Sequence, residues 1–455
     1  MKKLFGTDGI RGEAGKFPLD EKTVEIIGSS LARQVSKITG KSANFVTGRD
    51  TRESGEWIEK AFCRGVSAEN ANCVSAGIIT TPGIAYLTNA ENFDAGIVIS
   101  ASHNPFEDNG IKIFSPTGKK ISHKTEKQIE QDIREAKEQS SVSSQPSTDS
   151  KYNSLDVSKI SEYQQKYLKH LENEFNGLSL SGLKIVIDCA NGAASKLAPN
   201  LFEQFGAEVI TIFDQPDGKN INKDCGSLHL EKLQAKVKAE KADFGVALDG
   251  DADRSLFVDE KGNLVDGDGT LWIMAGHLQN EGKLNNDTVV ATVMSNLGLE
   301  TALKSKNIKL LRAAVGDKYV LQELLETNSS IGGEQSGHII FPKRSLVGDG
   351  MQTALYLLEA LQENGKTLSE MGNGFTQFPQ ILINVKVKEK RPFENVPEIM
   401  KAALEVEKEL GETGRLLLRY SGTENLARVM IEGKNQTEIE DQAQRLADVI
   451  EKSLG

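Results

Sequence analysis

The chain has 455 residues, 38% of them hydrophobic and 26% charged, with a formal net charge of −11. That length exceeds what one hydrophobic core supports, so several domains are expected. No apolar run is long enough to span a bilayer, and the net negative charge makes a long nucleic-acid duplex a poor partner while leaving room for a small anion in a locally basic pocket. The amino terminus turns to glycine at Gly6, without the apolar stretch of a signal peptide. Cys63, Cys73, Cys189 and Cys225 form no CxxC pair, so no disulfide framework is expected, and a cytoplasmic setting is.

Residues 5–12, FGTDGIRG, hold three glycines and Arg11, a forked cation suited to phosphate. An ordinary terminal turn would look the same. Helical spacing follows over 24–38, with Gly40 as a stop. A strand at 44–46 leads into Gly48-Arg49-Asp50-Thr51-Arg52, then a helix over 54–69 and a strand at Val74. A loop at Thr80-Thr81-Pro82 precedes a helix at 84–88. The apolar run 95–99 reads as a buried strand that ends at Ser100-Ala101-Ser102-His103-Asn104-Pro105. Ser102 is thus presented at a strand end, where functional groups gather in α/β sheets. A serine hydroxyl needs activation to act as a nucleophile, and His103, Lys112 and the aspartate loop at 249–254 can supply it. Alone, this stretch also fits a plain turn.

Residues 110–114 read as a strand, 122–137 as a polar helix and 140–150 as an exposed serine-rich linker. The second segment runs from a helix at 161–175 through strands at 183–188 and 208–213 and a helix at 196–205 to the strand 242–248. The third repeats the pattern, with strands at 288–293 and 309–312 and helices ending near Lys304 and spanning 350–364. The last starts at about Phe375, alternates over 381–387 and closes with a strand at 427–431 and a helix at 437–452. Strand–helix alternation argues for α/β domains with mixed, mostly parallel sheets, and the last segment for a smaller α+β layer. The expected domains are 1–155, 156–257, 258–370 and 375–455.

Asp249, Asp251 and Asp253 alternate with small residues. Clustered carboxylates repel unless a cation compensates them, and a hard divalent ion such as Mg²⁺ prefers such oxygens. An EF-hand is excluded, because Arg254 stands where that loop requires glycine, although Glu260 falls at its twelfth position. A solvated acidic turn fits poorly between apolar flanks. Arg419, Ser421, Thr423 and Arg428 surround Gly422 and can cradle a phosphate; a turn with surface arginines is the alternative. Glu334, Ser336 and His338, among glycines, suit a polyhydroxylated ligand or a simple hairpin.

Taken in order, these loops resemble those of the α-D-phosphohexomutases over essentially the whole chain, with the amino-sugar branch favoured by FGTDGIRG and Glu334-Gln335-Ser336. Tyr420 departs from the proline common at that place. The resemblance implies three similar α/β domains and a C-terminal α+β domain around a central cleft. It implies a phosphoserine at Ser102, Mg²⁺ on Asp249, Asp251, Asp253 and the Ser102 phosphate, and sugar contacts from Glu334, Ser336 and His338. Arg419, Ser421, Gly422, Thr423 and Arg428 would hold the distal phosphate, with Arg254 on phosphate as well. The implied reaction interconverts glucosamine 6-phosphate and glucosamine 1-phosphate through glucosamine 1,6-bisphosphate, for UDP-N-acetylglucosamine and cell-wall precursors. Lys112 is the first candidate for general acid/base, His103 the second, and Arg11 a charge stabiliser. A homodimer is compatible with this reading, no nucleic acid or membrane partner is expected, and a kinase or autophosphorylation has to charge Ser102. The rivals are a phosphomannomutase or phosphoglucomutase, a metal-dependent sugar phosphatase, and a sugar-phosphate binding protein.

Overall fold

A computed structural model describes residues 3–140, 155–421 and 425–455. The chain divides into two compact units, residues 1–294 with 310–373, and residues 295–309 with 374–455.

The first unit contains three sheets. The first has the order Phe5–Gly6, Gly9–Glu13, Asp108–Phe114, Ala95–Ile99, Asn44–Arg49, Asn72–Ile78. Its centre, Ala95–Ile99, is buried at every position, as a continuous apolar run predicts for a strand covered on both faces. Asn44–Arg49 pairs in parallel with both Ala95–Ile99 and Asn72–Ile78. The other three pairings are antiparallel. The second sheet runs Leu264–Val265, Ser255–Asp259, Phe244–Leu248, Lys184–Asp188, Glu208–Ile212, and the third Lys309–Ala313, Thr288–Thr292, Gly332–Gly333, Ile339–Ile340. The sheets are therefore mixed in more even proportion than "mostly parallel". Parallel ladders form where a helix crosses over, and short hairpin connections add antiparallel strands at the edges.

Several local signals act as the sequence predicts. Asp20 caps the helix Glu21–Thr39, and Gly40 ends it in the left-handed region at φ 69°. The helix Gly350–Asn364 ends at Gly365 in the same way. Elsewhere the structure differs. The glycine-rich start is a hairpin rather than a loop. Thr80 caps a helix that begins at Thr81, because its hydroxyl accepts from the Gly83 N–H and Pro82 suits a first turn. The expected border at 257/258 cuts the strand Ser255–Asp259, and Leu264–Val265 belongs to the same sheet, so the second sheet continues to Val265. Cys63 and Cys73 form a disulfide, contrary to expectation, since the connection from the helix Gly55–Ala68 to the strand Asn72–Ile78 folds them together. Most of the serine-rich linker at 140–150 lies outside the described residues. Among the described residues no helix is long and apolar enough to cross a membrane.

The second unit has a three-stranded antiparallel sheet, Gln380–Lys386, Leu426–Gly433, Gly414–Tyr420, covered by the helices Pro397–Leu410 and Gln436–Leu454. It is the small α+β layer that its strand and helix pattern predicts.

Candidate active site

Ser102 stands just past the end of the strand Ala95–Ile99, buried, with φ 54°. Its N–H donates to Ser100 Oγ at 2.9 Å, and Ser100 Oγ donates to Asp50 Oδ2 at 2.6 Å. The Ser102 hydroxyl donates to Asp249 Oδ2 and lies 3.3 Å from His103 Nδ1. The serine and the aspartate loop, 147 residues apart in sequence, thus meet directly.

The aspartate loop joins Phe244–Leu248 to Ser255–Asp259, which pair with Leu248 opposite Ser255. One oxygen from each of Asp249, Asp251 and Asp253 falls in a cluster with all separations within 4.8 Å. All three carboxylates are buried. Asp251 Oδ2 accepts from Lys112 Nζ at 2.7 Å and from Thr81 Oγ1. Asp253 Oδ2 accepts from Lys112 at 2.9 Å. Asp251 Oδ1 and Asp253 Oδ1 are buried without a hydrogen-bond donor. Three clustered carboxylates with oxygens left without a hydrogen-bond donor offer hard ligands that suit a divalent ion. The residues present fit a metal site.

Lys112 Nζ also lies 3.0 Å from Asp8 Oδ2. Burial alone would lower its pKa, but Asp251, Asp253 and Asp8 hold the ammonium well above the ordinary lysine value. Burial, with Asp253 and Asp251 beside it, pushes the Asp249 carboxyl well up. Burial opposes the ionised form of Asp253 too, yet Lys112, His338 and Arg254 outweigh it and hold that carboxyl well below the usual range. Burial, reinforced by Arg254 and Arg11, brings His103 down to about 4. Arg254 Nη1 lies 3.2 Å from His103 Nδ1. A guanidinium can only donate, so Nδ1 is the acceptor on a neutral ring.

Arg11 is not a free phosphate fork. It pairs with Asp8 and donates to the Ala101 carbonyl at 3.3 Å, while its buried Nε has no hydrogen-bond partner. The loop expected to contact a sugar is the tip between Gly332–Gly333 and Ile339–Ile340. Glu334 and Ser336 are half-buried there. Glu334 Oε1 accepts from the Gly316 N–H at 3.1 Å, and Gln335 Nε2 donates to Asp266 Oδ2 at 3.2 Å. Gly337, at φ 89°, lets this loop lie against the metal-loop strand: a Cβ there would stand 2.2 Å from the Ser255 carbonyl oxygen. His338, expected on the sugar, has both ring nitrogens facing the protein. It is buried, its Nε2 accepts from the Gly348 N–H at 3.0 Å, and its Nδ1 faces Asp253 Oδ1 at 3.7 Å. Its ring is spent on supporting the metal loop.

In the second unit Arg419 and Arg428 are directly opposed across the ladder. Burial, then the charge of Arg428, lowers the Arg419 pKa. Like charges at opposed positions disfavour the sheet and favour an anion between them. The Ser421 carbonyl accepts from Lys390 Nζ at 2.6 Å. Tyr420 stacks on Phe393 with centroids 4.2 Å apart and donates to the Arg391 carbonyl. Gly422 and Thr423 lie outside the described residues.

Sequence reasoning missed Asp50, Arg52, Thr81 and Asn222, all of which hold the two loops. Arginine and aspartate at the end of an apolar strand, in Gly48-Arg49-Asp50-Thr51-Arg52, were the available signal for the first two.

A serine seated on a buried aspartate cluster at the ends of α/β strands is an arrangement suited to phosphoryl transfer beside a divalent ion. Residues 2–140, 165–262 and 266–378 match the phosphoglucomutase/phosphomannomutase alpha/beta/alpha domains I, II and III, and 382–449 match the C-terminal domain of that family. The chain belongs to the phosphoglucomutase/phosphomannomutase family, the α-D-phosphohexomutases, and is an isomerase. It is 46% identical over 454 residues to a phosphoglucosamine mutase of Solibacter usitatus, covering 100% of this chain and 99% of that protein. It is 48% identical over 459 residues to one of Caldicellulosiruptor saccharolyticus, covering 100% of both. A family protein from Burkholderia thailandensis shares the fold with a TM-score of 0.80 at 24% identity, covering 100% of this chain and 99% of that one. The N-acetylphosphoglucosamine mutase of Aspergillus fumigatus, solved with GlcNAc-6P and magnesium, does so with a TM-score of 0.67 at 19% identity, covering 99% and 96%.

Proposed function

We propose that this enzyme interconverts glucosamine 6-phosphate and glucosamine 1-phosphate, with Ser102 as the phosphoryl carrier. Full-length similarity to phosphoglucosamine mutases supports the substrate, and the Ser102 hydroxyl seated on Asp249 carries the mechanism. Asp249, Asp251, Asp253 and the Ser102 phosphate would hold Mg²⁺, which supplies charge neutralisation on the phosphoryl oxygens.

Transfer out breaks the bond from Ser102 Oγ to phosphorus and forms one from a sugar hydroxyl oxygen to phosphorus. The proton of that hydroxyl ends on Ser102 Oγ, so the step is balanced. His103 Nδ1, 3.3 Å from Oγ, is the site that carries it once its contact with Arg254 yields. Lys112, held as a cation, faces the developing charge rather than taking a proton. The product is glucosamine 1,6-bisphosphate. After it turns over, its other phosphate returns to Ser102. Glu334 and Ser336 bind sugar hydroxyls, Arg254 binds phosphate, and Arg11 supports the loop through the Ala101 carbonyl. Arg419, Ser421, Gly422, Thr423 and Arg428 bind the non-reacting phosphate. We place the reaction in the cytoplasm, supplying cell-wall precursors.

The test is a panel of hexose phosphates assayed with and without 1,6-bisphosphate, alongside the intact mass of enzyme purified from cells. Glucosamine phosphates should be turned over best, and a fraction of the protein should carry one phosphate mapped to Ser102. Phosphate found only elsewhere, or a fully active Ser102→Ala enzyme, refutes the mechanism. Inorganic phosphate as the main product makes the enzyme a phosphatase.

A further inference from the structure

Ser102 alternates between a free hydroxyl and a phosphate ester if the reading above holds, and the inference here rests on it. The free hydroxyl donates to Asp249. The ester has no proton on Oγ, so that hydrogen bond is lost in each half-cycle while about −1.5 to −2 of charge arrives. Something other than the side chain has to keep the residue in place.

The main chain of the loop is held by a guanidinium whose five N–H groups are all used. Arg52 is fully buried. Its Nε donates to Asp50 Oδ2 at 2.9 Å. Nη1 donates to the Asp108 carbonyl at 2.9 Å and to that of Pro105. Nη2 donates to the carbonyls of Ser102 at 2.9 Å and Asn104 at 2.8 Å. Asn222, from the second sheet's domain, reaches the same two carbonyls through Nδ2, at 2.8 Å to Ser102 and 3.1 Å to Asn104. The Ser102 carbonyl also packs on Gly250 of the metal loop, where a Cβ would approach its oxygen to 2.5 Å. The contacts come from both sides of the junction that the chemistry crosses.

We propose that Arg52 and Asn222 are positioning residues that clamp the Ser102 carbonyl, so that the serine keeps its place at the metal loop in both its free and its phosphorylated state. Neither touches the reacting atoms. The clamp holds a left-handed residue, at φ 54°, that the chain would otherwise relax. Only a planar fork can meet four carbonyls and a carboxylate at once. Lysine, with three donors on one nitrogen, cannot.

The experiment compares wild type, Asn222→Ala and Arg52→Lys in steady-state and single-turnover assays, with folding followed by circular dichroism. Misplacing a reacting atom costs rate rather than substrate affinity, so Asn222→Ala should lower kcat by about ten- to a hundredfold, with KM within about twofold. Arg52→Lys should lose more kcat. Transfer of the phosphoryl group from added glucose 1,6-bisphosphate to Ser102 should slow in parallel. Folded variants with wild-type kcat, or losses confined to KM, overturn the proposal. If Arg52→Lys fails to fold, Asn222→Ala decides alone. Failure of the underlying reading looks different: wild type would carry no phosphate at Ser102, and Ser102→Ala would be active.

Discussion

Replacing Lys112 by methionine tests the charge balance of the site. The Lys112 ammonium is buried and sits 2.7, 2.9 and 3.0 Å from carboxylate oxygens of Asp251, Asp253 and Asp8. Methionine keeps the apolar stem and removes the charge. Deleting one partner of a buried ionic group leaves the rest uncompensated, at a cost of about 3–5 kcal/mol. For a unit of this size that lowers the thermal transition by about 5 °C. The remaining carboxylates can recover part of the loss by taking up a proton. A proton taken up by the folded variant in place of the ammonium is released as pH rises, so its deficit should shrink toward acid pH. Mg²⁺ should also recover it. A cation bound only by the folded state stabilises by mass action, and a cluster that has lost its ammonium binds one more tightly. Calorimetry of both proteins in chelator and in saturating Mg²⁺ measures this. Mg²⁺ should raise the variant's transition more than that of wild type. Equal stability in chelator, or equal Mg²⁺ shifts, refutes the view that Lys112 compensates these aspartates.

Burial pushes the Asp349 carboxyl up to about 6 from 3.8. The folded state therefore binds its proton more tightly, and this stability is present below pH 3.8 and lost as pH rises through about 6, amounting to about 3 kcal/mol. Asp349→Asn, which keeps one side-chain oxygen for the Gln352 N–H and turns an amide N–H toward the Tyr167 hydroxyl oxygen, should remove this part of the slope in urea unfolding followed across that range. Arg428→Ala should weaken hexose-phosphate binding by about 1.5–3 kcal/mol, the range for hydrogen bonds to charged groups, and let more bisphosphate escape per turnover. Unchanged binding by titration calorimetry would remove the C-terminal loop from the substrate site.

The sequence made the side chains that carry chemistry legible, and left obscure what holds them. Asp249, Asp251 and Asp253 stand out because three alternating carboxylates between apolar runs have few uses, and the structure brings them together around Ser102. Buried strands such as Ala95–Ile99 and Phe244–Leu248 are unbroken apolar runs and hard to miss. The helix Gly267–Asn280 is absent from the sequence reading because two glycines and a threonine crowd its first turn, and the signal lies in the Asp266 cap before them. The surroundings of His338 were hidden for another reason. Imidazole, hydroxyl and carboxylate near one another suggest a ligand, but only the fold shows that Gly348 occupies one ring nitrogen and that Asp253 faces the other. Arg52 shows in sequence only as an arginine near Asp50 after a strand; its role stayed hidden because four of its five partners are carbonyls, which every residue has.

The same limit explains the metal loop. Its three successive carbonyls are each bound from a different part of the first unit. Gly250 O accepts from Ala193 N at 2.8 Å, Asp251 O from Thr81 N at 3.0 Å, and Ala252 O from Gly350 N at 2.9 Å. The three donors lie beyond the second-sheet strand Lys184–Asp188, in the helix Thr81–Ala90 of the first domain, and at the start of the helix Gly350–Asn364. Ala252 sits at φ 54°, a region an alanine rarely adopts, and such a conformation persists only when its surroundings over-determine it. Thr81 adds a side-chain bond to Asp251 Oδ2, which Lys112 shares, so the other oxygen, Oδ1, is the one left without a donor. The direction of the carboxylates is therefore set by main-chain bonds before any cation arrives. Electrostatic stabilisation of phosphoryl transfer depends on charges that need not move when the reaction occurs. A loop pinned from three elements, facing a serine pinned by its own carbonyl, supplies that rigidity without relying on any reacting group.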